Sequence, residues 1–204
     1  MLALILLPLL AGVLLFGNFG SGGNDDDDDD NDREPPVRLT EDGDTYTGTD
    51  GDDRVFGLGG HDTLTGGDGA DALHGDGGND FLRGLDGDDT LYGGAGEDAL
   101  AGGLGDDHLF MGDGNDTTVP QVGGEQTQGD DLIRGGAGDD AIADTVGANT
   151  LFGDIGHDVL IGIDRGGYGV PGPRDSLIAA DTLYGGYGND ALAGDEGDTM
   201  TGGT

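Results

Sequence analysis

The sequence predicts an all-β fold, a parallel solenoid of glycine- and aspartate-rich nonapeptides, preceded by an N-terminal hydrophobic helix and an acidic linker. Three observations predict it. From about residue 40 onward the same nine-residue phrase recurs. Each phrase is a string of turn formers followed by a three-residue alternation around one large aliphatic side chain. Glycine supplies 48 of the 204 residues. At two or more per phrase, each costing about 1 kcal/mol in a helix, that content excludes helices from the repeats.

Residues 1–20 form a hydrophobic segment. Residues 2–20, LALILLPLLAGVLLFGNFG, carry no charge and only Asn18 as a strongly polar side chain. As a helix they reach roughly 28 Å at 1.5 Å per residue, about the hydrocarbon thickness of a bilayer. A membrane anchor and a cleaved secretory signal both fit, although a basic n-region and a clear A-x-A site are missing. Residues 21–39 read as an acidic, proline-containing linker. The run NDDDDDDND at 24–32 repels itself into extension, and Pro35 and Pro36 stiffen its end. No glycine turns gather these aspartates around one centre.

Residues 40–119 form the first repeat block, with eight complete units from GTDGDDRVF at Gly48 to MGDGNDTTV at Met111. The fourth position is glycine and the sixth aspartate in every one. The eighth is Val55, Leu64, Leu73, Leu82, Leu91, Leu100 or Leu109, failing only at Thr118, which suits a cap or a loop exit. Residues 120–204 form a second, interrupted block. It resumes at QTQGDDLIR from Gln126 and breaks again over 162–175, and its final unit, from Gly194, is one residue short.

In each unit the glycines accept positive φ, and the last three residues make a minimal strand. Turn, strand, turn, strand winds into a coil of eighteen residues with two facing parallel sheets and the eighth-position side chains between them. Stacking such coils also brings the aspartates of alternate units together, and like charges oppose folding. The chain carries 43 acidic against seven basic side chains, a formal charge of −36, which disfavours nucleic-acid partners. There is no cysteine to offset the thin core with disulfides or thiolate-bound zinc. Carboxylate oxygens with backbone carbonyls from glycine turns describe a calcium site rather than zinc or copper. Several Ca2+ ions are therefore the expected cofactor.

The array resembles the hemolysin-type calcium-binding repeat, the RTX nonapeptide of secreted bacterial toxins, metalloproteases, lipases and epimerases. The resemblance covers about residues 40–204 and implies a parallel β-roll with calcium between successive turns, on sixth-position carboxylates and turn carbonyls. By position it implies Asp53, Asp71, Asp89 and Asp107 as ligands on one edge and Asp62, Asp80, Asp98 and Asp116 on the other. In the later block it implies Asp131, Asp140, Asp158, Asp181 and Asp190. Asn149 stands where an aspartate is expected, so its pairing with Asp131 is expected to be weaker. Ala179 replaces a turn glycine, and the last unit offers Asp198 alone.

Catalytic signatures are missing. His61, His74, His108 and His157 sit at variable positions of the units, expected to be solvated, and none belongs to H-E-x-x-H. Ser176 lies outside G-x-S-x-G. The stretch 162–175, with Arg165, Tyr168 and Arg174, reads as a surface loop. Along the first block the ninth position runs Phe, Thr, His, Arg, Tyr, Ala, Phe, too mixed for a flat polysaccharide- or ice-binding face. The expectation is a non-enzymatic calcium-binding protein, extracellular or at the cell surface, folding when extracellular calcium binds, with a protein or polysaccharide partner unspecified. The alternative is a truncated or accessory calcium-binding part of a secreted enzyme or adhesin.

Overall fold

The computed structural model describes residues 35–119, 129–144, 146–162 and 180–204. The expected N-terminal helix and the aspartate run of the linker lie outside the described residues, as do Arg165, Tyr168, Arg174 and Ser176.

Successive units alternate between two wholly parallel sheets. The first runs β1 (Val37–Arg38), β3 (Arg54–Phe56), β5 (Ala72–Gly77), β7 (Thr90–Ala95), β9 (His108–Asp113), β11 (Leu132–Ala137), β13 (Thr150–Ile155), β15 (Thr182–Tyr184) and β17 (Thr199–Thr201). The second runs β2 (Thr45–Thr47), β4 (Thr63–Asp68), β6 (Phe81–Asp86), β8 (Ala99–Leu104), β10 (Thr117–Thr118), β12 (Ala141–Asp144), β14 (Val159–Gly162) and β16 (Ala191–Gly194). No helix occurs among the described residues. β1 occupies residues that the sequence leaves in the linker: Val37 takes the eighth-position column opposite Val55. Two residues beside Pro36 are too few to show a period.

Eighteen residues separate partners through the first block, as in Val55 with Leu73 and Leu73 with Leu91. The spacing widens at Leu109 with Ile133 and again at Leu151 with Leu183, and shortens by one at Leu183 with Met200. The eighth-position columns nevertheless stay in line. Both sheets run through both blocks as one ladder.

Between the sheets lies a core one side chain deep. Val55, the leucines at 64, 73, 82, 91, 100 and 109, then Ile133, Ile142, Leu151, Leu160 and Leu183 are buried in one cluster. Met111, from a first position, joins them. Leu39 and Tyr46 at one end and Leu192 at the other pack against it half-exposed. Thr118 does not cap the coil. It is buried between β8 and β12, and its hydroxyl accepts the Ala143 N–H at 2.8 Å and donates to the Ala143 carbonyl at 3.0 Å. A hydroxyl at a core position is tolerated because both its hydrogen-bonding functions are met.

The outer face of the first sheet carries a ladder of rings. Phe56, His74, Tyr92 and Phe110 stack with centroids 4.4, 4.5 and 5.1 Å apart. Phe152 and Tyr184 resume it at 4.8 Å, and the Arg134 guanidinium lies 4.2 Å from the Phe152 centroid.

Candidate metal centre

Every sixth position lies where a turn becomes a strand, and stacking places these positions in two columns, one on each edge. On the first edge the column is Asp53, Asp71, Asp89, Asp107, Asp131, Asn149, Asp181 and Asp198, linked by one repeated bond. The Oδ1 of each member accepts the backbone N–H of the member one coil earlier, from Asp53 N to Asp71 Oδ1 at 2.7 Å to Asp181 N to Asp198 Oδ1 at 2.9 Å. The opposite column, Asp44, Asp62, Asp80, Asp98, Asp116, Asp140, Asp158 and Asp190, repeats the bond at 2.7–3.2 Å.

That bond uses one carboxylate oxygen. The other, Oδ2, is buried without a hydrogen-bond partner in Asp62, Asp71, Asp80, Asp89, Asp98, Asp107, Asp116, Asp140, Asp158 and Asp190. An unsatisfied buried oxygen of a charged group is costly, and a row of them is a demand for protons or cations. Burial raises the carboxyls of Asp62, Asp71, Asp80, Asp89, Asp98, Asp107, Asp116, Asp140 and Asp158 above the usual 3.8, opposed by the N–H bond and reinforced by neighbouring carboxylates. Asp71 and Asp98 rise to about 6, and Asp89, Asp107 and Asp140 to about 7. Asp62, Asp80, Asp116 and Asp158 shift the same way, with burial again the main cause.

A second donor faces the same place. A Cβ added at Gly57 would collide with Asp62 Oδ2 and lie 2.8 Å from the Gly75 carbonyl oxygen; at Gly75 it would meet Asp80 Oδ2 and, at 2.6 Å, the Gly93 carbonyl. Gly135 repeats this with Asp140 Oδ2 and the Gly153 carbonyl at 2.8 Å. First-position glycine therefore leaves room for a carboxylate oxygen of its own unit beside a carbonyl of the next coil. Among the described residues no three His, Asp or Glu side chains converge on one point, so further ligands have to come from the backbone. Carboxylate and carbonyl oxygens with flexible spacing fit calcium, a hard cation that takes six to eight oxygens.

Two of the sequence-predicted residues, Asp53 and Asp131, depart from this pattern, while Asp181 keeps its column bond. Asp53, in the first coils, is only half-buried. Its Oδ2 accepts the Thr49 N–H at 2.7 Å and its Oδ1 the Tyr46 hydroxyl at 3.1 Å. Asp131 meets Asp144 instead, and its carboxyl is pushed up to about 9 by burial and by that neighbour. Asp181 is buried and its Oδ1 accepts the Asn149 N–H. Sequence reasoning names Asp198 as the lone acid of the last unit without counting it as a ligand, yet it takes the sixth-position role from a shortened unit; Asp144, which stands at a first position where the motif has glycine, was missed.

It also missed a second ladder at the fifth position. Asp88 accepts the Asp106 N–H at 2.9 Å, Asp106 the Asp130 N–H and Asp130 the Ala148 N–H at 2.8 Å. On the other edge His61 Nδ1 accepts the Asn79 N–H at 2.7 Å, and His157 Nδ1 the Asn189 N–H at 2.9 Å. These histidines are thus joined to the next coil rather than merely solvated. His74 is held between Phe56 and Tyr92, and His108 meets Phe110 edge-on.

A parallel β-solenoid edged with two columns of half-satisfied aspartates has the build of a metal-binding repeat protein. The model of the RTX calcium-binding nonapeptide repeat matches residues 47–82, 74–109, 83–118, 127–160 and 179–203. These matches take in more than half of the chain, which belongs to that family, and membership implies calcium as its ion. No curated protein and no solved structure matches the chain.

Proposed function

We propose that this chain is a non-enzymatic calcium-binding protein that works outside the cell and becomes compact when calcium fills the edges of its coil. The ions sit between successive coils, held by the Oδ2 atoms of sixth-position aspartates and by first-position carbonyls. Asp71, Asp89 and Asp107 serve one edge, and Asp62, Asp80, Asp98, Asp116, Asp140, Asp158 and Asp190 the other. Asp53, Asp131 and Asp181 complete the ligand set with altered surroundings. The observation that carries this reading is the column of buried Oδ2 oxygens with no partner.

RTX repeats are typical of secreted proteins, and extracellular modules commonly bind calcium at about 10⁻⁴ to 10⁻³ M. Such sites stay empty in a cytosol low in calcium and fill outside, so binding drives folding after export. Far-UV circular dichroism during a calcium titration of the full chain tests this. A calcium-dependent rise in β signal, reversed by EDTA, is expected; spectra insensitive to both would refute it.

A further inference from the structure

Each edge column begins with a member unlike those that follow. Asp44 and Asp53 keep the regular bond from their own N–H to the next coil, both at 2.7 Å. Neither, however, leaves its Oδ2 without a partner, because a threonine four residues earlier closes on it. The Thr40 N–H and hydroxyl both donate to Asp44 Oδ2, at 2.8 and 2.7 Å. The Thr49 N–H and hydroxyl do the same to Asp53 Oδ2, at 2.7 and 3.2 Å. Each hydroxyl in turn accepts the N–H two residues on, from Asp42 at 3.2 Å and from Gly51 at 3.3 Å. The same hook is thus built twice, once on each edge of the first coil.

The other oxygen of Asp53 is provided for as well. Along the column Oδ1 accepts the N–H of the member one coil earlier. Eighteen residues before Asp53 stands Pro35, which has no N–H to give. The Tyr46 hydroxyl takes its place, at 3.1 Å. The slot beside Oδ2 is otherwise regular, since a Cβ added at Gly48 would collide with both Asp53 Oδ2 and the Gly66 carbonyl oxygen. What differs is the second position of the unit. Gly67, Leu85 and Gly103, the second positions of the next units on this edge, take φ of +138°, +101° and +143°, and Thr49 does not. A β-branched residue is ill suited to that region, so the turn brings the Thr49 N–H onto the carboxylate instead.

We propose that these hooks stand in for calcium, making residues 37–56 a cap that needs no ion of its own, and that Asp53 takes an ion only by giving up its hook. The cap rests on the calcium reading above. A carboxylate oxygen that already accepts two hydrogen bonds offers a cation less than an orphan oxygen does, because those bonds are lost on binding. On the first edge Asp71, Asp89 and Asp107 therefore fill before Asp53. The cap also gives calcium-driven winding a fixed end. Its carboxylates make no demand that an ion alone can meet, so the second coil has a formed neighbour to stack on.

Two measurements on the metal-stripped full chain test this. Native mass spectrometry across a calcium series counts ions in wild type, in Thr49→Gly, which restores the regular GGDG turn, and in Thr49→Ser, which keeps the hydroxyl. Below saturation Thr49→Gly is expected to carry one ion more than wild type, and Thr49→Ser the same number. Circular dichroism then follows folding against calcium for the double variants Thr40→Val/Thr49→Val and Thr40→Ser/Thr49→Ser. The valine pair is expected to raise the calcium midpoint at least twofold, and the serine pair to leave it in place. A valine pair that folds at no calcium concentration, while the serine pair folds, is the same result in stronger form. Should Thr49→Gly fail to fold in saturating calcium, the valine pair decides alone. Equal ion counts in wild type and Thr49→Gly, or an unmoved midpoint in the valine pair, overturn the proposal. Wild type that binds no calcium at all refutes the calcium reading itself.

Discussion

At the scale of single residues, the sixth-position aspartate performs two tasks with two oxygens, and a substitution separates them. Asparagine at position 89 keeps an acceptor for the Asp71 N–H, which Asp89 holds at 2.8 Å. It also replaces the orphan Oδ2 by a donor beside the Gly102 carbonyl, which faces the same slot at Gly84. Removing one unsatisfied buried oxygen gains about 1 kcal/mol, or roughly 2–4 °C in melting temperature for a chain of this size. Asp89→Asn is therefore expected to melt higher than wild type in EDTA and lower in calcium. Calorimetric melts in both conditions check the crossing, and a variant less stable in both would contradict it. The fourth position sets a different demand. Gly96 has φ +139°, and a Cβ there would collide with the Gly78 carbonyl one coil earlier and come within 3.0 Å of Asn79 Oδ1. Gly96→Ala is expected to cost about 1–3 kcal/mol, read from melts in saturating calcium.

At the scale of the element, nine residues make one strand and eighteen make one coil, and that difference decides what the sequence reveals. The eighth-position column needs no unfolding into two, because Leu64 and Leu73 are both aliphatic and face the same core from opposite sheets. Those strands and their core, and the two aspartate columns, are legible from the nine-residue period. The ninth position is not, because odd and even units lie on different sheets. Read in chain order it alternates Phe56, Thr65, His74, Arg83, Tyr92, Ala101 and Phe110; read by sheet, the rings of Phe56, His74, Tyr92 and Phe110 form one stack. The faces of these rings cover one another, so the ladder binds strand to strand. Asp144 was hidden for another reason: it looks like a failed glycine until the coil brings it against Asp131. Each stacked pair adds about 0.5–1.5 kcal/mol beyond its buried area. Tyr92 belongs to two pairs, and Tyr92→Ala is expected to destabilise the calcium-loaded coil by about 1–3 kcal/mol. Thr90→Ala on the same strand, outside the ring stack, serves as the control in denaturant melts. Equal losses from the two substitutions would remove the ladder from the account of stability.

At the scale of the whole molecule, the balance between protons and calcium follows from the sign of the shifts. Asp71, Asp89, Asp98, Asp107 and Asp140 rise in the fold from the usual 3.8 to about 6 or 7, chiefly through burial. Between those values the folded chain holds more protons than the unfolded one, so raising the pH favours unfolding. The contribution of these groups is complete below about pH 4 and lost as pH climbs through 6 to 7. The net charge of −36 acts in the same direction, since ionisation adds repulsion to a compact chain. Calcium inverts the slope, because it binds only ionised carboxylates and its hold tightens over the same interval. Metal-stripped chain is therefore expected to show more β signal and a higher melting temperature at pH 5 than at pH 8. In millimolar calcium, pH 8 becomes the more stable condition. Circular dichroism melts at both pH values, with EDTA and with calcium, give the four numbers needed. Metal-free chain as stable at pH 8 as at pH 5 would mean that the orphan oxygens find partners without protons or ions, and the edge columns would lose their role in holding the coil together.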